Sequence, residues 1–423
     1  MILSLCLLLF SNPQVAVIAL VASLFVNEQI VIFSFSVPFS LAVVVAVSFK
    51  RSQILWDEFY SPMTFPFIVL LLCILPSLLN ASRPMFSILK MSNIIAGLLA
   101  FAVIILSAKS ILVLRRIMAV FLGMALFNSF DVFRMAASGV RRPFGFAGIM
   151  FVDYAALSVC VAVALAITTN GLRRTTYLTI ALTIGIALIF TQTRNTWISA
   201  LLTICILIVY VWIRPETVKL SRNQIAAIAI GGMVVLVAMM IFTAAISPRA
   251  ALRTAELTTS GRFEISESGR VSNSLVSRLL IWDTAWRAFL DHPLIGIGLY
   301  AFPYSSERYS RMPKYLYRTF VRRLTAHQTH LSMLAETGII GTAGFIFFLV
   351  SVIRNSFSRL KVGSELGKRA AFVIATGIVY SLVSMFFTDA WLWGQGIVLF
   401  GILVGSVVAI GRIQEFEEQE QVA

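Results

Sequence analysis

Residues 326–353, AHQTHLSMLAETGIIGTAGFIFFLVSVI, join a polar start holding two histidines and a glutamate to a long apolar run. A hydrocarbon core of ~30 Å takes about 20 helical residues, so this stretch is expected to cross a membrane as a helix with its histidines at one end. The rest of the chain repeats the apolar pattern. Of 423 residues 59% are hydrophobic and only 13% are charged, and the mean hydropathy is +0.91, which is far outside soluble composition.

Apolar segments of similar kind recur at roughly 2–26, 29–48, 65–79, 94–108, 111–128, 144–168, 176–191, 196–213, 225–247, 328–353, 371–387 and 396–410. They are too long and continuous for barrel strands. The expected fold is therefore an all-α polytopic membrane protein of about 12 transmembrane helices, with one large, partly helical outer loop. Residues 1–247 hold helices 1–9, 248–326 the loop, and 327–423 helices 10–12 with a tail whose four glutamates lie between Glu415 and Glu420. The first segment has no basic residue ahead of its apolar run, so it is not read as a cleavable signal peptide.

Lysine and arginine set the orientation. With both termini cytoplasmic, sixteen of the 34 cations fall in inner loops, while the short outer loops carry six: Arg83, Lys90, Arg134, Arg141, Arg142 and Arg194. The remaining twelve lie in 248–326, a long loop that can be translocated whatever its charge. Against them stand six acids, leaving a local surplus of six positive charges that attracts anions such as lipid headgroups or a phosphorylated substrate. All four cysteines sit in apolar segments and read as packing residues, with neither a disulfide framework nor zinc spacing.

His327 and His330 are three apart and would share one face of a continuous helix, with Glu336 pointing roughly the other way. A third ligand is missing nearby, so no metal site is expected. Neutral imidazole can accept a proton near pH 7, and the surrounding cations favour His327 as the general base. His330 suits a polar residue capping the start of the span. Arg194 interrupts IFTQTRNTWIS in a tight turn on the same side, Arg141 and Arg142 precede the sixth segment, and Arg278 lies in SLVSRLLIWDTAWRAFL. The Trp282 and Trp286 pair suits a helix resting on the membrane face, with Asp283 and Arg287 as a surface ion pair. Guanidinium forks match phosphate oxygens, so several of them gathered beside an imidazole suit a lipid-linked diphosphate. Glu336, about 14 Å along a helix begun at His327, needs a partner such as an arginine. Gly338, Gly341 and Gly344 read as a small-residue stripe for close helix approach.

These residues resemble the O-antigen ligase and polymerase superfamily of bacterial envelope glycosyltransferases. His327, Gln328, Gly338 and Gly341 meet its pattern of H, then N, S or Q, nine residues and G-x-x-G, while TQTRNTWISA, SRLLIWDTAWRAFLDHPLIGIG and RRPFGFAG are similar to three further family stretches. Asp153 departs from the asparagine frequent in relatives. The resemblance implies a glycosyltransferase C-like membrane fold in the bacterial inner membrane, with its active site facing the periplasm. It implies metal-independent, inverting transfer of an O-antigen glycan from undecaprenyl diphosphate to a sugar hydroxyl of lipid A core, with no cofactor and no nucleic-acid partner. His327 would be the base, Arg194, Arg278 and Arg142 would hold the diphosphate, and Gln328, His330 and Glu336 would support them. An O-antigen polymerase, and outside the enzymes a polyprenyl-lipid flippase, remain open alternatives.

Overall fold

A computed structural model of the protein describes residues 61–140, 142–214, 274–389 and 394–422, together with Ile18, Val21 and Gln224. The segments expected at 2–26, 29–48 and 225–247, the loop from 248 to 273, and Arg141 lie outside the described residues, those three single positions aside. The structure is helical, with no strand among the described residues. It comprises α1 (Thr64–Ile74, continued by a 3-10 helix, Leu75–Asn80), α2 (Pro84–Ser107), α3 (Ile111–Ala137), α4 (Phe151–Thr168), α5 (Leu172–Phe190), α6 (Arg194–Ile213), α7 (Ser274–Asp291), α8 (Lys314–Phe320), α9 (Thr329–Ser358), α10 (Glu365–Ser384) and α11 (Gly394–Val422).

Eight of these, or their extensions, are long and apolar enough to cross a membrane: α2, α3, α4, α5, α6, α9, α10 and α11; the helix Thr64–Asn80 is a shorter apolar one. This fits a polytopic membrane protein. Phe65, Leu172 and Ile213 are at least 60% exposed, a costly arrangement in water and the ordinary one against lipid. Inside, α2 packs on α11, α4 on α5, α1 on α9, and α10 against α4, α6 and α11. Phe67 of α1 joins Phe101 of α2 and Phe348 of α9, with ring centroids 5.5 and 4.5 Å away. Gly97 of α2 and Gly401 of α11 bring two backbones so close that a Cβ on either would overlap the facing helix.

Several boundaries differ from the hydropathy reading because helices run on past their apolar runs. Lys90, expected in an outer loop, is buried within α2, and Arg134 lies in the last turn of α3, bonded to Asp131 at 2.7 Å. The glutamate-rich tail continues α11, and Glu415 bonds Arg359 of the α9–α10 turn at 2.8 Å.

The main departure from simple spans lies in α9. At Gly338 the backbone takes φ 63° and ψ −164°, so the amides of Ile339 and Ile340 cannot reach the carbonyls of Ala335 and Glu336. The segment Pro293–Gly298 answers all four groups. Ile339 and Ile340 donate to the carbonyls of Pro293 (2.8 Å) and Leu294 (3.2 Å), while Ile297 and Gly298 donate to those of Ala335 and Glu336 (both 3.0 Å). Gly338 is nine residues beyond Thr329, about 14 Å along at ~1.5 Å per residue, so this turn dips well into the helical layer. Irregular backbone is tolerated at such depth only where protein satisfies it.

Gly338 is thus a helix break filled by a turn. The expected three-glycine stripe reduces to Gly344, which faces Cys73 and Leu70 of α1. Alanine at Gly338 would occupy a backbone region nearly exclusive to glycine and would press its methyl against the Leu294 carbonyl. Gly338→Ala should destabilise the fold by about 3 kcal/mol or more. A thermal melt of the purified protein checks this, and an unchanged midpoint would refute the joint.

Candidate functional site

The starts of α4, α6 and α9 and the ends of α3, α5 and α10 lie at one end of the bundle, where the described part of the large loop also docks. Asn80 donates to the Gly296 carbonyl (2.8 Å), Ser87 to that of Leu299 (2.5 Å), and Thr329 N–H to that of Met385 (2.9 Å). Arg142 and Arg194 are at this end, whereas Lys109, Arg173, Arg174, Arg359, Lys361 and Lys368 lie in or beside turns at the other.

His327 does not belong to α9. The helix begins at Thr329, Gln328 is its N-cap in an extended conformation, and His327 has φ 53°, the left-handed region. The expected shared helical face of His327 and His330 therefore does not form. A non-glycine residue in this region is strained and persists only when its surroundings hold it there. Here the indole Nε1 of Trp282 donates to the Ala326 carbonyl (3.0 Å) just before His327, and Thr329 Oγ1 donates to the Thr388 carbonyl (2.8 Å) just after.

Two charged groups flank the imidazole. Asp389, buried in the turn after α10, places Oδ1 3.9 Å from His327 Nδ1. Arg278 comes from α7, one turn before Trp282, and is within electrostatic reach of both His327 and Asp389. Helix α7 can present Arg278 here because Ile281, Ala285 and Ala288 bury its other face in a small core with Phe320, Val321 and Ala335. Burial pushes the His327 imidazole below its ordinary pKa; Asp389 opposes that push and Arg278 adds to it. Burial likewise draws the Arg278 guanidinium down, against the pull of Asp389. The result is an imidazole held neutral at pH 7 beside a fixed cation.

Arg142 and Arg194 form a second group. Arg142 lies in the α3–α4 loop, its Nε donates to the Thr191 carbonyl (3.4 Å), and its guanidinium lies 5.5 Å from the Phe144 ring. Arg194 opens α6 three residues after Thr191. Asn128 shapes the loop, donating to the Phe144 carbonyl (3.2 Å) and accepting from the Ala147 amide (2.9 Å). Helices α4 and α10 meet near the first group: Ser384, five residues before Asp389, donates to Asp153 Oδ1 (3.4 Å).

His330 packs with Phe386 and Phe345, at centroid distances of 4.5 and 5.9 Å. Glu336, seven residues into α9 rather than nine beyond a start at His327, is buried and accepts from the Tyr300 amide (2.9 Å). The cation within its electrostatic reach is Lys90, in place of the expected arginine, and the Lys90 ammonium sits 5.0 Å from the Tyr300 ring. Asp389 and Lys90 are the participants that the cation pattern did not single out. The available signal was an acid, in FFTDAW, between two apolar segments at the histidine's end.

Residues 178–346 match a family model described as O-antigen ligase. The matched stretch contains Arg194, Arg278, His327, Gln328, His330 and Glu336, and stops short of Asp389. No curated protein matches the chain.

Proposed function

We propose that this chain, whose residues 178–346 match a family model described as O-antigen ligase, transfers a glycan from undecaprenyl diphosphate to a sugar hydroxyl of lipid A core. The observation that carries the reading is the meeting of Arg278, His327 and Asp389 at the end of the bundle opposite the lysine- and arginine-rich turns. Inner membranes keep such turns in the cytoplasm, so the site would face the periplasm.

Asp389, 3.9 Å from Nδ1, would stabilise the positive charge that His327 gains as Nε2 takes the acceptor hydroxyl's proton. As Nε2 takes the proton, the hydroxyl oxygen bonds to the anomeric carbon. The bond from that carbon to the diphosphate breaks, and its electron pair leaves with the diphosphate oxygen. One displacement inverts the anomeric centre. Arg278, with Arg194 and Arg142, would neutralise the departing charge, the service that a metal ion performs in other phosphate chemistry.

The test is the product. Purified protein, lipid-linked glycan and lipid A core should yield capped lipid A core. Elongated lipid diphosphate would identify a polymerase instead, and movement of the lipid across a vesicle wall without any glycosidic product would identify a flippase.

The pH profile probes Asp389. A neutral imidazole is the active form, so kcat/KM should fall as pH drops through the His327 pKa, which lies below the ordinary value. Asp389 raises that pKa, so Asp389→Asn should move the acid limb to lower pH while reducing the maximum rate. An acid limb left in place would remove Asp389 from the site.

A further inference from the structure

The loop segment between α7 and α9 carries a cationic surface that the transfer step does not use. From Glu307 to Arg323 there are six exposed cations, Arg308, Arg311, Lys314, Arg318, Arg322 and Arg323, and one acid, Glu307. Among the described residues none of the six forms an ion pair. Lys314 and Arg318, four apart, lie along one side of α8, with Arg311 just before the helix and Arg322 and Arg323 in the turn that follows it. The other side is already in use. Tyr317, Phe320 and Val321 are at most 5% exposed and pack into the core that holds α7, Tyr317 meets Ser306 Oγ at 3.0 Å, and Ser277 of α7 donates to the Phe320 carbonyl at 3.4 Å.

That burial decides the kind of partner. A helix that binds a membrane surface places its apolar face in the lipid, and α8 has spent that face on protein. The exposed apolar stripe is on α7 instead, where Leu279, Trp286 and Leu290 are each at least 47% exposed. What α8 presents outward is a row of cations with Tyr315, 62% exposed, beside it. Only three residues separate Arg323 from His327, so the cations and the imidazole belong to one continuous stretch of chain.

We propose that Lys314, Arg318 and Arg322 form a docking surface for the phosphorylated saccharide headgroup of the acceptor glycolipid, delivering its hydroxyl to His327. This rests on the transfer reaction above and adds the acceptor's phosphates as a determinant of recognition.

The experiment uses full-length protein in nanodiscs of zwitterionic lipid, titrated with lipid A core before and after phosphatase treatment. The wild type should bind the phosphorylated form about tenfold tighter, and K314Q/R318Q/R322Q should lose that preference, since each exposed pair contributes modestly and three add up. Arg318→Lys, which keeps its charge, should retain it. Transfer to the dephosphorylated acceptor should be equal in wild type and triple variant. A triple variant that keeps the preference overturns the proposal. So does one that loses, by the same factor, its preference for phosphatidylglycerol over phosphatidylcholine vesicles, because the row would then read bulk anionic lipid. Phosphate-dependent binding by a wild type that forms no capped product would leave the surface standing and reject the transfer reaction.

Discussion

Replacing His327 with alanine should lower glycan transfer by about 10²- to 10⁴-fold, the range that a positioned general base contributes. The loss should appear in kcat, with little change in donor binding, because the imidazole engages the acceptor proton only as the reaction proceeds. Folding should survive. His327 precedes α9 and its side chain is 40% exposed, so truncation leaves no buried cavity, and the bonds that hold the left-handed turn are made by Ala326 and Thr329. His330→Ala is the internal control. That ring, in the first turn of α9, packs tilted against Phe345 and against Phe386 just after α10, so its loss should lower the melting temperature more than the rate. A His327 variant with wild-type turnover, or a His330 variant with the larger rate defect, would show the wrong imidazole to have been chosen.

The contrast between the two histidines marks where sequence stops being informative. Hydropathy locates the nine apolar segments that fall within the described residues, because a lipid-spanning helix must be apolar over a fixed length whatever its neighbours do. Helix ends are less legible. Nothing in AHQTHLSM announces that the chain is left-handed at His327 and helical from Thr329, since those bonds come from Trp282 and from the turn after α10, 45 residues upstream and about 60 downstream. The same applies to the break at Gly338. Three glycines at spacings of three look like a packing stripe, and only the distant Pro293–Gly298 turn shows that one of them is a joint exchanging four backbone hydrogen bonds. The cations of the candidate site could be found because arginine beside lipid is conspicuous. Asp389 and Lys90 are less conspicuous, since each acquires its role from a partner distant in sequence.

Arg278 carries the second large expectation. Arg278→Gln should reduce transfer by about 10²- to 10³-fold, comparable to removing one donor that stabilises developing negative charge. Arg278→Lys should recover only part of this. Lysine keeps the charge but lacks the planar fork that meets two phosphate oxygens at once, and its shorter reach from α7 would draw the cation back from the imidazole. The two variants separate charge from geometry, and the pH profile supplies a further readout. Arg278 lowers the His327 pKa, so Arg278→Gln should move the acid limb of kcat/KM to higher pH, opposite to the shift expected for Asp389→Asn, while Arg278→Lys, its cation drawn back, should move the limb the same way by less. Opposed shifts from a cation and an anion on either side of one imidazole require all three groups to share a single electrostatic environment during turnover. If Arg278→Gln retained the wild-type rate while Arg194→Gln abolished it, the diphosphate would belong to the group at the α5–α6 turn, and α7 would serve only to hold His327 in its strained conformation through Trp282.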